Sequence, residues 1–207
     1  MKHRRLLAAL TGAGAVVTGV TAWAVASHLA ADPDSEARTS ANRVLGEADS
    51  ALQEGIRKDQ KQDYHGAARS YRRVLELDPR NKFAWYNLGV IAQRAGSTSE
   101  ARADYDEALK TDPSLPQALF NKAILLKSSE PAESIGLLRR AIAAKPGAST
   151  AHLQLADILA QQKRVGEAVD EYRRAVAADP SLFPQVPPSY RESLAPSPAT
   201  SRAGDDE

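Results

Sequence analysis

Residues Lys82–Leu115 read KFAWYNLGVIAQRAGSTSEARADYDEALKTDPSL. Trp85, Leu88, Gly89 and Ala92 fall at i, i+3, i+4 and i+7, which is one stripe of an α-helix. Gly96 follows, a residue that tolerates the left-handed turn ending a helix. Ser99 is expected to cap a second helix, whose buried stripe is Ala101, Tyr105 and Ala108. Pro113 stops that helix and sets a new turn. The stretch therefore predicts two short helices packed as a hairpin. Gly89 and Ala101 let the backbones approach, while Trp85 and Tyr105 fill the space beside them.

The same pattern recurs on both sides. Asp78-Pro79, Asp112-Pro113, Lys145-Pro146 and Asp179-Pro180 are spaced by about 34 residues, a period that marks stacked helical hairpins. Residues 48–81 keep Gly55, Ala67, Tyr71 and Pro79, with Ala51 and Glu54 in place of the large apolar pair. Residues 116–148 keep Leu119, Ala123, Leu126, Ala141 and Pro146. This unit is one residue short, a loss placed in the Ser128-Ser129-Glu130-Pro131 turn, and Ser134 takes the small-residue position. Residues 149–182 keep Leu155, Ala156, Ala168, Tyr172, Ala175 and Pro180, with His152 where Trp85 stands. The Trp-Leu-Gly face, the Ala-Tyr-Ala face and the closing proline closely resemble the tetratricopeptide repeat family. The resemblance implies an all-α, right-handed solenoid of about four helix-turn-helix repeats, and a role in binding other proteins.

Both flanks differ in composition. Leu6–Ser27 carries no charge over 22 residues, about 33 Å as a helix and enough to cross a bilayer core. Lys2, Arg4 and Arg5 precede it, and Asp32, Asp34 and Glu36 follow. Residues 1–31 are thus expected to be an uncleaved transmembrane anchor, N-terminus inside and repeats outside the cytoplasmic membrane. The alternative is a secretory signal cleaved after Ala24-Val25-Ala26, releasing the repeats. Residues 35–47 are expected to form a capping helix, with Ala41, Val44, Leu45 and Ala48 extending the first repeat's inner stripe. Residues 183–207 are read as a proline-rich disordered tail. Within it, Ser189 and Glu192 could box the start of a short helix that lays Tyr190 and Leu194 on the last repeat.

Composition narrows the chemistry. The net charge of +1 offers no basic surface for nucleic acid. No cysteine is present, which excludes disulfides and thiolate metal sites. His3, His28, His65 and His152 lack metal-ligand spacing; His65 is placed in a turn and His152 on a core stripe. No catalytic constellation emerges, so neither an enzyme nor a cofactor nor a small-molecule substrate is expected. The abundance of Ala and Arg suggests a bacterial source.

What remains is a binding surface. Helical geometry and the family resemblance place Phe83, Tyr86, Val90, Gln93 and Arg94 on the concave face of the second repeat. The equivalents are Leu52, Ile56 and Asp59 in the first, Gln117, Phe120, Ile124 and Lys127 in the third, and Thr150, Leu153 and Asp157 in the fourth. An apolar strip of this kind marks a contact site for a protein partner. Some family members hold a C-terminal carboxylate here. Leu52 and Ile56 stand where that clamp needs Lys and Asn, so this chemistry is not expected. The expected function is a membrane-anchored scaffold or assembly factor; a self-associating structural protein is the alternative.

Overall fold

The computed structural model describes residues 33–194, and the expected anchor and signal lie outside them. The chain divides at Gly46/Glu47 into two compact units. Helix α1 (Pro33–Gln60) runs through the division. In the first unit Ala41 and Leu45 are exposed and Val44 is only half-buried. The expected capping stripe is therefore not built there. Burial begins with Ala48.

The second unit is a succession of helical hairpins: the end of α1 with α2 (Tyr64–Leu77), α3 (Lys82–Arg94) with α4 (Thr98–Thr111), α5 (Pro116–Leu126) with α6 (Pro131–Ala144), and α7 (Ser149–Gln161) with α8 (Val165–Ala178). From α3 onward each helix packs most extensively on its hairpin partner, and next on the helices before and after it. Ala67, Ala101, Ser134 and Ala168 are each fully buried, as the small-residue register requires. So are Tyr105 and Tyr172, and Tyr71 nearly so. Trp85 departs from expectation. It is half-buried, with its indole Nε1–H donating to the carbonyl of Pro79 at 3.0 Å. His152, buried in the same register, places Nε2 3.1 Å from the carbonyl of Pro146 and Nδ1 2.6 Å from Glu171. A ring nitrogen reaching back to the preceding repeat's proline is thus common to both.

The turns inside the hairpins explain the short repeat. Gly96 has φ +77°, and Gln62 and Lys163 occupy the same register with φ +63° and +60°. In the third repeat no described residue has positive φ. Its turn drops the left-handed residue, and α6 starts directly on Pro131 at a position where no N–H is missed. The cap predicted at Ser99 is displaced: α4 starts at Thr98, after Ser97, without a side-chain cap bond. His65 lies in the first turn of α2, exposed, rather than in a turn between helices.

Residues 183–194 are folded, contrary to the disordered tail expected from their prolines, while the helical turn expected to lay Tyr190 and Leu194 on the last repeat is present. A 3₁₀ turn (Pro180–Gln185), the single turn α9 (Pro188–Arg191) and a second 3₁₀ turn (Glu192–Leu194) lie against α8. Leu182 and Val186 are buried, and Tyr190 and Leu194 pack on the same core. The Tyr190 ring lies 5.2 Å from that of Tyr172. Arg191 donates to the carbonyls of Val186 and Pro184, and Arg173 to that of Ser193. These bonds supply partners that composition alone does not reveal. Pro187 caps α9, and no Ser189 box forms.

Ion pairs join the second helices of successive repeats. Glu100, Glu133 and Glu167 share one register, and each meets an arginine from the repeat before: Arg72 at 3.9 Å, Arg102 at 3.1 Å and Arg139 at 3.1 Å.

Candidate protein-binding face

The first helices of consecutive repeats lie side by side, with α3 against α5. Cross-repeat hydrogen bonds mark their common face. Asn121 Nδ2 donates to the Tyr86 hydroxyl at 3.2 Å, and Lys127 Nζ to Gln154 Oε1 at 3.4 Å. Arg94 lies over the Tyr64 ring, 5.0 Å from its centroid, and donates to the Tyr64 hydroxyl at 2.7 Å.

The expected contact residues divide into two groups on this face. Leu52, Ile56, Tyr86, Val90, Phe120 and Ile124 are half-buried, and Phe83, Arg94 and Lys127 are exposed. Leu153 is the exception. It is only 4% exposed and belongs to the core cluster that also holds Leu182 and Val186. It is core, and the exposed strip narrows in the fourth repeat. Gln93 accepts from the Tyr105 hydroxyl at 2.7 Å, and Asp157 from that of Tyr172 at 2.7 Å. Asp59, in the Gln93 register, is one carbon shorter; its Oδ1 is buried without a hydrogen-bond partner among the described residues. Burial first, and the Asp59 carboxylate second, push the Tyr71 phenol up to about 12. Burial also raises that of Tyr86, against the Asn121 hydrogen bond.

Two features escaped the sequence. Gln53, Asn87, Asn121 and Gln154 repeat an amide at one register of the first helices, a signal that aligning the four units would have exposed. Lys122 stands in the Leu88 and Leu155 register, where an aliphatic side chain is the rule. It is 8% exposed and paired with Asp106 at 2.7 Å and Glu133 at 2.8 Å.

Residues of α2, α3 and α4 line a depression of about 410 Å³: the apolar Leu75, Trp85 and Leu88 and the charged Arg72, Glu76, Glu100 and Asp104.

The sequence profile of the tetratricopeptide repeat family matches residues 52–116 and 124–182, more than half of the chain. The chain belongs to the tetratricopeptide repeat family. Its coarse role, a scaffold for protein–protein interaction, follows from that membership. It is 31% identical over 110 residues to the Drosophila melanogaster protein O-mannosyl-transferase Tmtc3, covering 52% of this chain but only 12% of the transferase. Among solved structures it resembles PilW, a type IV pilus biogenesis factor, with TM-score 0.60 and 27% identity over 66% of this chain and 64% of PilW. It also resembles YrrB, a tetratricopeptide protein with an unusual peptide-binding site, with TM-score 0.61 and 20% identity over 75% of this chain and 79% of YrrB. The likeness to YrrB shows the fold alone.

Proposed function

We propose that this chain is a non-enzymatic assembly factor that holds a segment of a partner protein in the groove of its first helices. The repeats would be tethered outside the cytoplasmic membrane by residues 1–31. The observation that carries the binding reading is the strip Tyr86, Val90, Phe120 and Ile124. These side chains are large; Tyr86, Val90 and Phe120 rest one side on the core, and all four remain half-exposed at the middle of the stack. Binding energy concentrates at central positions of this kind. The amides flanking the strip can pair with a partner's backbone. PilW, as a biogenesis factor, provides a precedent for an assembly role.

The test is a photo-crosslinking residue placed in cells at Val90 or Ile124, and, as a control, at Ala143 on the exposed side of α6. A partner crosslinked from the two groove positions and not from Ala143 is expected. Tyr86→Ser with Phe120→Ser should abolish that product in a variant that melts at a lower temperature but keeps its helicity at the assay temperature. Crosslinking from Ala143 alone, or capture that survives in the folded double variant, refutes the groove. A dimer in sedimentation that the double variant dissolves identifies self-association instead.

A further inference from the structure

The two central groove helices contain no acidic residue: α3 reads KFAWYNLGVIAQR and α5 reads PQALFNKAILL. The second helix of the same repeat, α4, carries Glu100, Asp104, Asp106 and Glu107. Carboxylates of the described residues occupy two of the central cations. Lys82 is paired with Asp112 at 2.7 Å, and Lys122 with Asp106 and Glu133. The other two, Arg94 and Lys127, enter no ion pair among the described residues. Both are exposed, and both sit at the C-terminal ends of these helices beside the apolar strip. Arg94 is held in place by the Tyr64 ring and hydroxyl, so much of its side-chain freedom is already lost before any ligand arrives. Only one of its guanidinium nitrogens is engaged by that hydroxyl, and the planar fork suits a carboxylate. Asp63, next to Tyr64, accepts from the Gly66 N–H rather than pairing with Arg94; of the acidic residues on the face, Asp157 receives the Tyr172 hydroxyl, and the Asp59 Oδ1 is buried.

We infer that the groove selects an acidic segment, one whose apolar side chains lie on Val90 and Phe120 while its Asp or Glu carboxylates are received by Arg94 and Lys127. The inference rests on the groove reading above and adds the chemistry of the occupant. An internal acidic side chain suffices, so the ligand need not end at the site.

The probe is a displayed library of random internal peptides, selected on the full chain in detergent. Enrichment of Asp and Glu over Lys and Arg beside Leu, Ile and Phe is expected. One selected peptide should lose about tenfold in affinity on Arg94→Ala, the scale of one charge-assisted hydrogen bond. Arg94→Glu with Lys127→Glu should invert the selection toward basic peptides, with helicity and melting retained. No enrichment, enrichment of neutral or basic peptides, or an uninverted preference in the folded reversal variant overturns the inference. Phosphatidylglycerol vesicles form a parallel arm. Binding to them that the reversal abolishes, without peptide selection, assigns the two cations to a lipid surface and also overturns it. The groove reading fails separately, if selected peptides bind undiminished after Tyr86→Ser with Phe120→Ser.

Discussion

An added Cβ at Gly89 would lie 2.6 Å from Cε1 of Tyr105, and one at Gly55 would lie 2.5 Å from Cε1 of Tyr71. Both rings are buried, so neither can step aside freely. The third repeat avoids the conflict by pairing Ala123 with Leu138, both fully buried. The fourth keeps a tyrosine beside Ala156, and its phenol reaches Asp157 instead of the Gln93 register. Gly89→Ala is therefore expected to cost about 1–3 kcal/mol by overpacking. Gly136→Ala, where a Cβ meets nothing within 4 Å, should gain about 0.5–1 kcal/mol. Adding Tyr105→Leu to Gly89→Ala should recover part of the loss; chemical denaturation checks all three. Asp104 makes a second case. Burial first, then the Glu100 carboxylate, push it up to about 6 against the pull of Arg72. A carboxyl raised in the fold opposes folding while ionised. That penalty acts above about 6 and is relieved as pH falls from there toward 3.8. Asp104→Asn should raise stability near neutral pH by about 1 kcal/mol, allowing for solvent screening. The advantage should disappear in melts near the unfolded-state value.

At the scale of the helix, Lys122 brings α5 into an ionic cluster with α4 and α6. Burial pulls its ammonium down, but hydrogen bonds to Asp106 and Glu133 outweigh that and hold it above the usual range. Replacing it leaves Glu133 still paired with Arg102. Lys122→Leu should change stability by less than about 1 kcal/mol, or raise it, because leucine fills this register in neighbouring repeats and no charge is stranded. A loss of several kcal/mol in denaturant titration would show that the cluster is worth more than an aliphatic contact. The succession of hairpins, the buried small residues and tyrosines of their stripes and the shortened third turn were legible because each depends on spacing within one repeat. Three things were not. Leu153 shares the groove register with Tyr86 and Phe120, yet it is consumed by the core next to Val186, a contact set by a segment outside the period. Trp85 carries an N–H that keeps its indole at the surface beside Pro79, which an apolar stripe does not reveal. Residues 183–194 look unfoldable by proline content; the seating of Tyr190 on the last repeat was legible, but not that Arg191 and Arg173 collect the segment's carbonyls.

For the molecule as a whole, the balance of charge about Leu6–Ser27 predicts that protease added to intact spheroplasts degrades the repeats; full protection would reverse the proposed orientation. A mature chain starting at Ser27 would show that the segment is removed. Within the repeats, the arginine–glutamate row on the second helices has a mechanical consequence. Its members are partly exposed, the Arg72 and Arg139 pairs more than the Arg102 pair, so salt weakens them. The links across the first helices, Asn121 to Tyr86 and Lys127 to Gln154, end on uncharged acceptors and respond less. The stack is thus a leaf spring with one flank tunable by ionic strength. Raising salt should soften that flank alone, so small-angle scattering should register a change in the curvature of residues 47–194 before any helix melts.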